Sequence, residues 1–522
     1  MEKFQAIAKK HFYFSLGFFA LGLSFGLIYS LNLLGMFIDS EMLNPSNLRS
    51  AHISLMLYGF IPLMLSYLPF FLIVKDVGYD AKSVRLLEIY TIFWYVFLII
   101  MTLSLLMGVK RDLAFYDFHY SLNALLAFAG VFYIASLYRY INLYEKKPLW
   151  IKVSLAFVIT APFALLILMN PNIGQVEATI SGPHGDNTLG MSLTLVPVYY
   201  LIFKYLSTST FRARWHVCWI IPTVFYLSSV LYRIVVGPLS YEAEWFFQWL
   251  TFLYVPLLYR WFHDADIEPH SKRLLFISIL AFLFVDIEGN LLFIESIRWI
   301  FHRNDLVVAH AHVAMGIGVL FMTLSLFGNV AKALFNRRFV FTYLLGMLGM
   351  FLVLSLSGFV QAGYTSLFTT EFFWSLRSLF GFITLFSLLS FLHVKEKYNL
   401  LQKYNLVGLF ADGFGGLFLF FFAGALYPLL GFSFGGTYEY VVFAFVMTTG
   451  VMHYSALRYP LHQAIITCLS VIVRFFVGSV FLALYLSSRL GIEAFGIFAF
   501  DYLFASIYIG FFYQKEEHYA TH

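Results

Sequence analysis

The chain has 522 residues, of which 61% are hydrophobic, 20% aromatic and only 12% charged. Water-soluble domains carry about 25% charged residues, so a soluble globule is excluded. The formal charge of +5, from 33 basic and 28 acidic residues, is too small and too scattered for a nucleic-acid-binding surface. Two cysteines, Cys218 and Cys468, both inside apolar runs, exclude a disulfide framework and any Cys-x-x-Cys metal site. The composition is that of an all-α polytopic membrane protein.

A membrane-crossing helix needs about 20 apolar residues at a rise of about 1.5 Å each. Sixteen stretches qualify: 11–35, 51–75, 84–108, 117–138, 151–170, 186–205, 215–236, 244–262, 273–296, 305–330, 339–361, 372–394, 405–430, 437–456, 463–487 and 493–513. The first run is too long for a cleavable signal and no small-residue site ends it, so it is expected to be retained. With Met1 in the cytoplasm, inside segments hold 24 of the 33 Lys and Arg, outside loops hold six, and Arg233, Arg377 and Arg474 fall within spans. That asymmetry follows the positive-inside rule and predicts both termini in the cytoplasm. No loop is long enough for a soluble domain, and no internal repeat is visible. The outer loop from Pro171 to Gly185 is the one long connection with turn chemistry.

Ionisable groups within a bilayer cost several kcal/mol and mark functional sites by default. The informative ones gather at helix ends near the outer face. His52 opens the second span, His184 and Asp186 the sixth, Leu239 to Glu244 follow the seventh, His310 and His312 open the tenth, and Arg377 lies early in the twelfth. At about 100° per residue, positions i and i+2 point about 200° apart. The two histidines of His310-Ala311-His312 therefore occupy opposite faces of one helix and cannot share an ion. Each can ligate a separate planar cofactor, one on either side, and imidazole is a normal axial ligand for haem iron. His52 is placed to supply the second axial ligand of one of them. Asp286 and Glu288 are carboxylates inside a span, suited to proton transfer or to a cation near the histidines.

These residues resemble subunit I of the haem-copper oxidase superfamily, in particular the cbb-type oxygen reductases and the divergent nitric oxide reductases related to them. The resemblance rests on Leu48-Arg49-Ser50-Ala51-His52 with Tyr58-Gly59-Phe60, on Phe284-Val285-Asp286-Ile287-Glu288-Gly289, on His302-Arg303-Asn304-Asp305 leading to His310-Ala311-His312, and on Gln361 with Ser375-Leu376-Arg377-Ser378-Leu379. It covers a twelve-helix core, residues 1–395, and leaves about four additional C-terminal helices, residues 396–522, outside it. The resemblance implies a low-spin haem b on His52 and His312 and a high-spin haem on His310. Arg377 would pair with a haem propionate.

The chain departs from that family at the second metal. The Gly-His-Asn-x-x-Gly of the sixth helix is Gly185-Asp186-Asn187-Thr188-Leu189-Gly190 here. The Gly-Pro-His-His of the seventh is Gly237-Pro238-Leu239-Ser240, and the redox tyrosine six residues before that pair is Arg233. Copper prefers imidazole nitrogen, whereas carboxylate oxygen suits harder ions including ferrous iron. The expectation is therefore a non-haem iron rather than copper, with Asp186 and Glu242 as candidate ligands and His184 and Glu244 nearby. Asp186 and Glu288 are the candidates for catalytic proton handling. Reduction of nitric oxide to N₂O is the expected activity. An oxygen reductase with a rebuilt metal site, a dihaem electron-transfer subunit without a second metal, and a transporter on the same scaffold stand as alternatives. No Cys-x-x-Cys-His occurs to attach a haem c. The electron donor is thus another cytochrome c subunit, a soluble cytochrome c or quinol.

Overall fold

The computed structural model describes residues 1–35, 41–111, 117–152, 155–156, 185–301, 304–328, 330, 337–366, 368–388, 399–429 and 434–510. The expected span at 151–170, apart from a few residues, lies outside these, as does the loop from Pro171 to His184. Among the described residues the chain is helical, with only two isolated bridge pairs, Lys110 with Phe118 and Ser207 with Ile267. This is what a bilayer demands, since backbone N–H and C=O groups find no water there and a helix pairs them within one segment.

Ten helices among the described residues are long and apolar enough to cross a membrane, and Thr194–Leu206 and Ala494–Tyr508 are shorter apolar segments. Several expected spans are broken helices. The eighth runs as Tyr241–Trp249, a tight turn at Leu250–Leu253 and Tyr254–Asp264. The thirteenth runs as Leu400–Gly408, a π-helical turn at Leu409–Phe414 and Gly415–Leu429.

The second span shows how sequence imposes such breaks. It consists of Pro45–Tyr58, Phe60–Leu65 and Leu68–Val77. Pro62 has no N–H and its ring crowds the carbonyl of Tyr58, so that helix bond is lost. The freed Tyr58 carbonyl instead accepts the indole N–H of Trp94 at 2.8 Å. A kink is thereby built in without leaving a polar group unsatisfied.

The described residues form two compact units, one within residues 1–394 and one within 395–522. In the first, aromatic edges interlock near the amino-terminal end of the first helix, Glu2–Leu33. Phe12 lies 4.7 Å from Phe327 and 5.2 Å from Phe60 between ring centres, and Phe4 meets Phe71 edge-on at 5.1 Å. Such pairs add about 0.5–1.5 kcal/mol each beyond the area they bury.

The turn after the second span carries a testable electrostatic lock. Asp80 caps the Ala81–Leu106 helix by accepting from Ser83 N at 2.9 Å, and Arg139 Nε donates to the same carboxylate at 2.8 Å. The Arg139 contact and the Ser83 hydroxyl hold the Asp80 carboxyl down at about 2. A depressed carboxylate stabilises the fold above its ordinary range, and that contribution fades as pH falls toward about 2. Asp80→Ala is expected to cost about 1 kcal/mol at neutral pH. Thermal unfolding followed downward in pH should bring wild type and variant together in strong acid.

Candidate functional site

The helix that bears the two histidines is anchored at its start. Asn304 caps Asp305–Ala311 by accepting from Leu306 N at 2.9 Å, and its amide donates to Gly358 O at 3.0 Å. Asp305 N donates to Gln361 Oε1 at 2.9 Å, while Asp305 Oδ2 accepts from Ser357 Oγ at 2.7 Å and Gln361 Nε2 at 3.0 Å. The helix start is thus sewn to the end of Arg337–Gln361. At His312 the helix widens into a π-helical turn, His312–Val319, a feature common at functional sites.

The two histidines reach different neighbours, as their spacing predicts. His312 faces His52 of the Pro45–Tyr58 helix, with ring centroids 6.3 Å apart and planes inclined by 25°. His310 turns to Pro269–Leu292, where its Nδ1 lies 3.3 Å from Glu288 Oε2.

Hydrogen bonding sets the chemistry of the first pair. His52 Nδ1 bonds Gly22 O at 2.8 Å and His312 Nδ1 bonds Val308 O at 2.8 Å. A carbonyl only accepts, so each Nδ1 carries the proton and each Nε2 keeps its lone pair. Neither Nε2 takes a hydrogen bond among the described residues. Two imidazoles holding one metal from opposite sides place each nitrogen about 2 Å from it, and about 1 Å more to each ring centre gives a centroid separation of about 6 Å. The observed pair matches that span. Gly26 leaves room for it: a Cβ there would stand 2.7 Å from His52 Nδ1.

His310 is tuned differently. Its Nδ1–H donates to a carboxylate rather than to a carbonyl, an arrangement that fixes ring orientation and raises the basicity of Nε2 toward a metal. Gly289 backs the ring closely, since a Cβ there would lie 3.3 Å from His310 Cε1 and 3.6 Å from Gln248 Nε2. Asp286, Gln248 and Asn290 are buried polar groups on the elements around it. Asp286 Oδ2 and Gln248 Oε1 have no hydrogen-bond partner among the described residues.

Arg377 is buried rather than snorkelling to water. Its NH1 reaches Asp305 Oδ2 at 3.4 Å, its guanidinium lies 5.8 Å from the Tyr29 ring centre, and its Nε has no partner among the described residues. It can still receive an acidic group beside the His52–His312 pair.

The second-metal candidates are distributed otherwise. His184 lies outside the described residues. Asp186 stands in the first turn of the Gly185–Leu206 helix. Glu242 is exposed in the first turn of Tyr241–Trp249. The buried acid of that turn is Glu244, which accepts from Arg233 at 2.9 Å with both side chains more than nine-tenths buried. The sequence offers Glu242 as the ligand and Glu244 as its neighbour, yet the structure buries Glu244 and exposes Glu242. Helical spacing separates them, because residues two apart face opposite ways and only Glu244 shares the inward face with Phe247 and Gln248. Among the described residues no group of three or more His, Cys, Asp or Glu side chains converges on a metal position.

No protein-family model matches the chain, and no curated protein matches it. A solved structure similar to it is that of a haem-copper terminal oxidase dimer determined by cryo-electron microscopy, 12% identical over 75% of this chain and 83% of that one, with a TM-score of 0.48. A likeness at that level leaves function to be reasoned from the chain's own residues.

Proposed function

We propose that this chain is a membrane-bound, haem-dependent oxidoreductase of the haem-copper oxidase superfamily, reducing nitric oxide to N₂O. The observation that carries the reading is the His52–His312 pair, two half-buried imidazoles 6.3 Å apart with both Nδ1 atoms committed to backbone carbonyls. Such a pair would hold a low-spin haem b between its two Nε2 atoms. His310, backed by Glu288, would hold a high-spin haem on the other face of the same helix. Bound haems would supply electron transfer at the first site and redox chemistry at the second.

The chain's own groups do the rest. Arg377, fixed by Asp305, would neutralise a propionate beside the low-spin site. Glu288 holds the orientation of the His310 ring through its contact with Nδ1. Asp286, buried two residues away, is placed to store a proton close to the site. Joining two NO molecules consumes two electrons and two protons and yields N₂O and water. It therefore needs a proton store but no redox tyrosine, and Arg233 stands where the related oxygen reductases carry that tyrosine. Asp186 is the proposed carboxylate ligand of a non-haem iron in place of the missing copper histidines. Electrons would come from a cytochrome c or quinol donor.

A second reading, a dihaem electron-transfer subunit, draws support from the buried Arg233–Glu244 pair. A fixed guanidinium at the turn where the family binds its second metal opposes another cation there.

Metal counting separates the readings. Purified protein should contain two haems and three irons per chain and no copper, and should consume NO with an electron donor. Two haems with only two irons would select electron transfer. Haem-free protein reconstituted without any haem uptake would remove both.

A further inference from the structure

The C-terminal unit carries a charged cluster that the proposed chemistry does not use. The π-helical turn Leu409–Phe414 directs Asp412 inward, where it bonds Arg474 of Gln463–Leu486. Arg474 NH1 also donates to Asp501 Oδ1 at 2.7 Å, from the Ile492–Tyr508 helix. On the far side His453 of Thr437–Arg458 places Nε2 3.5 Å from Asp412 Oδ2, and its Nδ1 lies 2.9 Å from Asn405 Oδ1. His453 is fully buried, and Asp412, Arg474 and Asp501 are all nine-tenths buried or more.

Glycines make this approach feasible. The His453 ring lies directly on Gly408, and Gly450 meets the Gly413 backbone, so a Cβ at either position has no space. The guanidinium stacks on Phe504, 4.2 Å from its ring centre. Aromatic walls of this kind keep water out.

The charges do not balance. Two carboxylates and one guanidinium, with neutral imidazole, leave one negative charge in a water-poor interior, where an uncompensated charge is strongly disfavoured. Among the described residues His453 Nε2 meanwhile has no hydrogen-bond partner, and it faces Asp412 from 3.5 Å. One proton between these two groups removes the imbalance and closes that contact.

We infer that Asp412, Arg474, Asp501 and His453 form a proton-binding site within the C-terminal unit, holding one exchangeable proton shared between His453 and the carboxylates. Tyr404 is the other titratable group against the cluster, its ring 6.0 Å from that of His453 and its hydroxyl donating to Phe504 O at 3.2 Å. Cys468 packs beside Tyr404. Tyr502 on the same helix as Asp501 bonds Ser479 at an exposed position, and Lys403, Tyr454 and Arg458 are exposed as well. A proton is the ligand that suits the donor set, because a metal cation would have to compete with the guanidinium for the same carboxylates.

The sign of the linkage gives the test. A folded state that holds one more proton than the unfolded chain loses stability as pH rises, tenfold per pH unit in the unfolding equilibrium, until the proton leaves. Asp501→Asn and Asp412→Asn each balance the cluster without a proton. Thermal unfolding of the full chain in detergent, scanned from mildly acid to alkaline pH, should show a falling alkaline limb in wild type. That limb should flatten by one proton's worth in either variant and return in Asp501→Glu. The comparison uses the shape of each profile, so a uniform loss of stability in a variant does not obscure it. A limb unchanged in both Asn variants overturns the inference. So does a wild-type limb that moves when sodium replaces choline in the buffer, which would assign the site to a metal cation.

Discussion

His52→Ala and His312→Ala are each expected to lose the low-spin haem while retaining the high-spin one, roughly halving haem content and abolishing electron delivery. Among the described residues the Nε2 atoms of this pair have no partner, so the substitutions break only the hydrogen bonds to Gly22 O and Val308 O at 2.8 Å. Each of those bonds contributes about 1 kcal/mol, so the fold should survive the substitution. Gly26→Val reaches the same site by another route, because its side chain would drive into the His52 ring from 2.7 Å. His310→Ala should spare the low-spin spectrum and remove the other haem. Optical spectra and haem content of the four variants check this. Unchanged spectra in both His52→Ala and His312→Ala would refute the assignment of the pair.

Arg474→Leu is expected to lower stability by about 3–5 kcal/mol, the cost of stripping a partner from buried charges. Arg474 serves two acids at once, Asp412 and Asp501, so its loss leaves two carboxylates facing each other's field without a cation. The chain would have to protonate both. Replacing all three charged residues by apolar ones of similar volume should recover much of the loss, since a buried ion pair and a well-packed apolar set are often close in free energy. Thermal unfolding of the full chain, single variant against triple, measures both effects.

Much of the architecture was legible in the residues themselves. Hydropathy set the all-helical class, because a bilayer permits no other way to satisfy backbone groups in runs this apolar. The two-residue spacing of His310 and His312 placed them on opposite faces by helix geometry alone, and the structure directs them to His52 and to Glu288 accordingly. The place of Arg377 inside an apolar run is also apparent, but its partner Asp305 is not, since that contact joins residues 72 apart in sequence.

What stayed hidden depended on faces and partners. Glu242 and Glu244 look equivalent in sequence, yet one turn of helix exposes the first and buries the second against Arg233. Asp412, His453, Arg474 and Asp501 all lie inside apolar runs, and nothing beside them in the sequence names their partners. Only the packing of helices from four separate segments brings them together. Local patterns of hydropathy and spacing depend on neighbours within a few residues, so the chain alone determines its all-helical class and the opposed faces of His310 and His312. Which charges neutralise which is a matter of distance between helices far apart in sequence, and that the tertiary structure alone decided.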